Sequence, residues 1–205
     1  MKTNYKLKMD EEIKKIKELG KKPTLLLHAC CAPCSSAVLE KLCEIFDITI
    51  FFYNPNISPE SEFIFRLDEL KRMLPKIELA DIDVVAPPYN YTEFLNIANG
   101  MEEMPEGGRR CHACYRLRLE KTAGYAKENG FDYFTTTLSI SPYKNAQWLN
   151  EIGLYEGEKQ GVKYLFSDFK KDNGYKRSCE LSKEFNLYRQ DYCGCVYSKR
   201  TTEEK

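Results

Sequence analysis

The chain alternates short apolar runs with longer amphipathic stretches. The clearest run, Thr24-Leu25-Leu26-Leu27-His28-Ala29, lies between Lys21-Lys22-Pro23 and Cys30-Cys31-Ala32-Pro33-Cys34. Its length and its flanking breakers fit a buried strand at 24–29. Further strands are predicted at 48–53, stopped by Asn54-Pro55-Asn56, at 82–85, closed by Pro87-Pro88, and at 131–138 and 164–166. Helices are predicted at 35–45, 58–73, 91–98, 115–129, 141–151 and 174–186. Ser58-Pro59-Glu60-Ser61-Glu62 offers a cap, an early proline and first-turn carboxylates. Gly130 stands where a C-terminal cap is needed.

Strand and helix alternate throughout, which predicts an α/β fold: a parallel sheet with right-handed crossovers and helices on both faces. Residues 1–22 read as a polar, mostly solvated extension with a short helix at 10–19. Residues 23–200 read as one α/β domain ending in a helical part, since no linker or repeat divides them. In such sheets, chemistry collects at the C-terminal tips of the strands, where the first strand delivers Cys30, Cys31 and Cys34.

Composition narrows the function classes. Among 205 residues, 31 acidic and 31 basic side chains balance, so net charge points to no polyelectrolyte partner. The lysine-rich start lacks the apolar core of a secretory signal. No apolar stretch approaches a membrane span, so a cytoplasmic protein without a membrane partner is expected. The nine cysteines stand at 30, 31, 34, 43, 111, 114, 179, 193 and 195. An odd count without an export signal disfavours a secreted disulfide framework and favours metal or redox chemistry.

Two thiol groups carry that chemistry: Cys30-Cys31-Ala32-Pro33-Cys34, and Cys111-X-X-Cys114 in a loop expected to open a helix. Close pairs from distant positions are how four thiolates gather around one centre. Adjacent cysteines diverge along extended backbone and reach a large or multinuclear centre more readily than a single zinc ion, so an iron–sulfur cluster is preferred and zinc remains the competitor. A helix start favours negative charge there, and Arg109 and Arg110 could offset it further. Cys193-Gly194-Cys195 fits a strained, redox-active pair or two further ligands. Cys43 reads as a core residue; Cys179 receives no role. His28 should point to the same side of the strand as Cys30. Tyr143-Lys144 with Trp148, Lys170-Lys171 with Tyr175-Lys176-Arg177, and Tyr197-Ser198-Lys199-Arg200 interleave rings and cations as nucleic-acid contacts do.

The ordered set of motifs resembles the cobalamin-independent epoxyqueuosine reductase family, QueH, over about residues 24–200. It comprises His28-Ala29-Cys30-Cys31-Ala32-Pro33, Phe52-Tyr53-Asn54-Pro55-Asn56-Ile57, Glu62 through Arg66, Arg110-Cys111-X-X-Cys114-Tyr115-X-X-Arg118-Leu119 and Phe134-Thr135-Thr136-Thr137-Leu138. Ser141-Pro142-Tyr143-Lys144, Asp168-Phe169-Lys170-Lys171, Gly174-Tyr175-X-Arg177-Ser178 and Gln190-X-Tyr192-Cys193-Gly194-Cys195 complete it. The fold expected is a Rossmann-like, HUP-type sheet. The resemblance implies reduction of epoxyqueuosine to queuosine at the tRNA wobble position, the last step of that modification. It implies a [4Fe–4S] cluster on Cys30, Cys31, Cys111 and Cys114, a redox-active pair at Cys193 and Cys195, and a mononuclear iron. Some members carry an acidic residue where this chain has Cys34, which makes Cys34 the candidate ligand of that second iron. Tyr143, Lys144, Asp168, Lys170 and Arg177 are the candidates for holding the anticodon loop, and an electron donor is required. The competing reading is a zinc- or cluster-binding α/β enzyme of nucleotide activation or sulfur transfer. Its phosphate loop would be glycine- and serine-rich where Cys30-Cys31-Ala32-Pro33-Cys34 stands. A non-enzymatic zinc module is the third.

Overall fold

The computed structural model describes residues 3–79 and 81–199; Met1, Lys2, Ala80 and the residues from Arg200 onward, including the last of the Tyr197-Ser198-Lys199-Arg200 stretch, lie outside the described residues. The elements run α1 (Tyr5–Glu18), β1 (Thr24–His28), α2 (Ala32–Leu42), β2 (Asp47–Phe51), α3 (Glu60–Lys76), β3 (Val84–Val85), α4 (Tyr91–Ala98), α5 (Arg109–Glu128), β4 (Tyr133–Thr136), α6 (Ala146–Gln160), β5 (Lys163–Tyr164) and α7 (Gly174–Glu184). Short 3-10 turns cover Thr137–Ile140 and Val196–Ser198. The five strands form one parallel sheet in the order β3-β2-β1-β4-β5, a Rossmann-like arrangement. β1 is central, with Leu26 opposite Thr49 on one side and Phe134 on the other. The chain winds outward from β1 to β3 and then returns beside β1 as β4. The order therefore reverses between β1 and β4, where open α/β sheets form their ligand crevice.

Strand alternation divides the core in two. Leu25 and Leu27 face Val38 and Leu39 of α2, Leu70 of α3 and Leu181 of α7, whereas Leu26 faces Tyr115 and Leu119 of α5 and Leu149 of α6. This two-faced burial explains why β1 is continuously apolar.

Several boundaries differ from the sequence expectation. α1 starts at Tyr5, where the Asn4 side chain accepts from the Leu7 N–H at 3.1 Å, and it buries Met9 and Ile16 in the core. The segment expected as a largely solvated arm is thus packed along one face. α2 starts at Ala32 because Pro33 fits a first helical turn. Thr137 and Leu138 leave the strand for a 3-10 turn capped by the Thr136 hydroxyl. α6 begins only after Asn145, whose side chain accepts from the Trp148 N–H at 3.2 Å, and runs on to Gln160.

Candidate active site and metal centre

The last sheet bond of β1 runs from the Ala29 N–H to Phe51 O. Cys31 then takes an extended backbone, φ −172° and ψ 162°, and serves as N-cap of α2. Cys30 and Cys31 therefore leave the strand tip in sequence, and Cys34 returns from the first helical turn. Their three sulfur atoms lie within 4.8 Å of one another, with Cys30 and Cys31 at 3.8 Å. The Ser35 hydroxyl donates to Cys31 O at 2.8 Å and fixes the corner. Hydrogen bonds from Cys31 and Cys34 hold the Cys30 thiol well below its ordinary range, and the Arg118 charge adds to this. The same bonding to Cys30 pushes Cys31 up to about 12 and raises Cys34 as well.

Cys111 and Cys114 stand on α5 itself, which starts at Arg109 behind Gly108. The helix, expected from 115, starts six residues earlier, since Gly108 is the N-cap. A spacing of three residues puts the two thiols on one helix face. The preceding loop is held down by buried Arg110, which donates to Met101 O, Glu102 O and Met104 O and lies under the Tyr197 ring at 4.7 Å.

The C-terminal segment brings Cys193 and Cys195 across to the same end of the sheet. The Ser58 N–H donates to Gly194 O at 2.9 Å, the Tyr192 hydroxyl to Ser58 O at 3.1 Å, and Arg66 to Cys193 O at 3.3 Å. Gly194 sits at φ +105°, a backbone that favours glycine. Both thiols are free. A hydrogen bond from Cys195, with Lys144 and Ser198 alongside, holds Cys193 well below the ordinary thiol range against the opposing effect of burial; the Cys195 thiol is raised.

Two adjoining cavities connect these groups. The larger, about 240 Å³, is lined by Cys30, Cys34, Gln190 and Tyr192 among others. The smaller, about 20 Å³, is lined by Asn56, Cys111, Cys114 and Cys195. Arg118, Lys144 and Cys193 line both. A wider hollow of about 650 Å³ between α1, α6 and β5 contains no thiol and lies away from this end.

The residues expected to hold substrate separate into two groups. Tyr143, 78% exposed, stands on the rim of the larger cavity, and Lys144 reaches inside and pairs with Glu106 at 3.5 Å. Burial would lower the Lys144 pKa, but the opposing charge of Cys193, Tyr115 and Glu106 raises it. Asp168 and Lys170 pair with each other at 2.9 Å, and Arg177 is held by Glu40 at 2.6 Å beside a separate surface hollow; none of these three lines either cavity.

Arg118, Gln190, Tyr192 and Arg189 line the larger cavity without having been assigned a role from sequence, and Tyr175, read there as one ring of a nucleic-acid contact, lines it too. For Arg118 the signal was present: it follows Cys111 by seven residues and Cys114 by four, one helix face. His28 is fully buried; its Nε2 accepts from Arg118 Nε at 3.2 Å and its Nδ1 meets Thr136 Oγ1 at 2.8 Å. Burial and the Arg118 charge push its pKa down to about 3, so it is a neutral support for the arginine.

The donor set suits a metal that favours sulfur. Three thiols converge in a protected corner, and soft thiolate ligands select zinc or iron–sulfur centres. Beside them Asn56 Oδ1, Arg110 Nε and Gln190 Oε1 are buried without hydrogen-bond partners. No helix of the described residues is long and apolar enough to cross a membrane.

Residues 25–201 match the family model described as epoxyqueuosine reductase QueH. Over 202 residues the chain is 42% identical to the epoxyqueuosine reductase QueH of Streptococcus pyogenes serotype M1, covering 97% of this chain and 79% of that one. The Staphylococcus epidermidis protein of the same name is 42% identical over 204 residues, covering 95% and 86%. That of Thermotoga maritima is 37% identical over 185 residues, covering 89% and 93%.

Proposed function

The chain belongs to the epoxyqueuosine reductase QueH family, and from that membership we propose how its site works on tRNA. It is an oxidoreductase that removes the epoxide oxygen of epoxyqueuosine at the wobble position and leaves queuosine, the last step of that modification. The observation that carries the reading is that six of the nine cysteines line two adjoining cavities at one end of the sheet, with Cys31 grouped beside Cys30 and Cys34. The epoxide becomes an alkene; two electrons and two protons enter, and one water leaves.

Cys30 and Cys31 with Cys111 and Cys114 would hold a [4Fe–4S] cluster, and Cys34 would bind a second iron. Such a centre, when bound, supplies electrons one at a time at low potential. The larger cavity takes the base. An anticodon loop presents it largely unpaired, and unstacked bases are commonly seated against aromatic rings. Tyr143 and Tyr192 offer such rings at the rim, and Lys144 places its ammonium inside, where it can donate a hydrogen bond to the departing oxygen. Asp168, Lys170 and Arg177 remain candidates only for contacts further along the tRNA. Cys193 lines both cavities, so the Cys193/Cys195 pair can pass electrons or protons from the thiol groups toward the base. The site is that of a cytoplasmic enzyme supplied by a separate electron donor.

The test is anaerobic reconstitution with iron and sulfide, followed by turnover on tRNA carrying epoxyqueuosine, read by mass spectrometry of the released nucleosides. The expected result is a brown protein that yields queuosine under a low-potential reductant. Cys111→Ser should lose the colour; Cys193→Ser should keep it and lose turnover. A colourless protein holding one zinc and no sulfide would refute the reading.

A further inference from the structure

Arg118 is 4% exposed, and its side-chain hydrogen bonds to His28 and Asn54 reach neutral groups. Buried Arg66, by contrast, pairs with Glu62 at 2.7 Å. An isolated buried charge is strongly disfavoured, so buried cations are found with anions. The hydrogen bonds Arg118 does make go to neutral acceptors: Nε to His28 Nε2 at 3.2 Å and Nη2 to Asn54 Oδ1 at 2.5 Å. These orient the guanidinium but do not balance it. His28 is itself held by Thr136 of β4, and Asn54 donates to Ala29 O at 2.8 Å. The anchors therefore come from the ends of the central strands, and the position is rigid. Thiols share the cavity walls with the guanidinium: Cys30 and Cys34 in the larger, Cys111 and Cys114 in the smaller. It lines both cavities, so one fixed cation borders two thiol groups drawn from separate parts of the sequence.

We propose that Arg118 is the built-in counter-charge of the thiolate-bound metal centre, a positioning residue that joins the two cysteine groups electrostatically and raises the reduction potential of the centre. The proposal rests on the reading of the thiols as the ligands of one centre. A fixed positive charge stabilises the reduced, more negative state more than the oxidised one. Its removal therefore makes the centre harder to reduce. The arginine fork matters as well as its charge, because one donor must reach His28 while another reaches Asn54.

The test compares wild type, Arg118→Lys and Arg118→Met after anaerobic iron–sulfide reconstitution, by iron and sulfide analysis, by potentiometric titration of the visible spectrum, and by thermal unfolding of loaded and metal-free protein. Arg118→Met should shift the reduction equilibrium at least tenfold toward the oxidised state, about 59 mV more negative for a one-electron couple. Arg118→Lys should recover part of that shift. The Met variant should lose thermal stability in the loaded protein while the metal-free protein loses little, since there the wild-type charge lacks its anions. Equal losses in both forms with an unchanged potential would make Arg118 a purely structural residue and overturn the proposal. Should Arg118→Met not fold, the Lys variant decides alone: a potential equal to wild type, with normal loading and equal thermal loss in both forms, overturns it. Wild-type protein that takes up no iron or sulfide overturns the reading of the centre, and this proposal with it.

Discussion

Gly194→Ala tests how the C-terminal cysteine pair is held. Gly194 has φ +105°, and a Cβ there would meet Ile57 Cγ1 at 2.9 Å and Arg66 Nη1 at 3.1 Å. An L-residue in left-handed backbone costs roughly 1–2 kcal/mol, and overpacking adds about 1–3 kcal/mol. Three hydrogen bonds and one cation–π contact oppose release of the segment: Ser58 to Gly194, Tyr192 to Ser58, Arg66 to Cys193, and Arg66 over the Tyr192 ring at 5.1 Å. At about 1 kcal/mol for each neutral bond and 1.5–3 kcal/mol for the charged one, plus about 0.5–2 kcal/mol for the ring contact, they total roughly 4–7 kcal/mol. The strain of about 2–5 kcal/mol is therefore close to what holds this segment down. The expected outcome is local release with the sheet intact. Population of the opened segment should rise by about 30-fold or more, since each 1.4 kcal/mol is a factor of ten. Pulsed alkylation of reduced, metal-free protein, mapped by mass spectrometry, reads Cys193 and Cys195 directly. Denaturant unfolding followed by far-UV circular dichroism should move far less than the full strain. Labelling of both thiols within threefold of wild type, or a full-sized loss of global stability with unchanged labelling, would refute the reasoning.

Tyr143→Ala should raise KM for the tRNA substrate by about 5- to 100-fold, because base–aromatic stacking contributes roughly 1–3 kcal/mol, while kcat and the visible spectrum stay as they are; steady-state kinetics decide. Gly153→Ala should destabilise the fold by about 1–2 kcal/mol in urea, because its Cβ would lie 2.3 Å from the Tyr164 ring, an overpacking cost that outweighs the roughly 1 kcal/mol gain in helix propensity. Glu69 accepts from Arg72 and from the Tyr188 N–H, which hold its carboxyl below the ordinary range. Its folded pKa lies below the unfolded one, so its contribution is present above about pH 4.5 and is lost as pH falls through the lowered value. Acid unfolding curves of Glu69→Gln should accordingly be flatter below pH 4.5 than those of wild type.

The centre of the sheet was readable because β1 and β2 lie in apolar runs bounded by breakers. β1 stops at Cys30, and β2 stops before Asn54-Pro55-Asn56. Helix starts were less readable. Cys111 and Cys114 look like loop residues because Gly107-Gly108 and two arginines precede them, yet Gly108 caps the helix and Arg110 is buried by folding its own loop over itself. α1 hides its core-facing Met9 and Ile16 in a heavily charged stretch, where only the spacing of seven residues betrays them. The triad was legible as a cluster of sulfur. Arg118 beside it was legible only as a helix-face spacing from Cys111 and Cys114, because an arginine in a charged helix looks solvated until the neighbouring strand ends close around it. Arg177 shows what sequence could not: its basic, aromatic neighbourhood suggested a ligand, and in the fold its guanidinium pairs with Glu40 from α2, outside both cavities.

The Cys193-Gly194-Cys195 crossing sets an order of maturation. This segment is the last of the thiol-bearing parts to be translated, and it closes over cavities whose other walls come from residues made much earlier. If the thiols take up their metal before this segment has left the ribosome, the corner they form is still open. A chain truncated after Arg189 is predicted to load iron and sulfide faster than the complete protein and to release them faster to a chelator; equal rates for the two chains would show that the C-terminal crossing is no door.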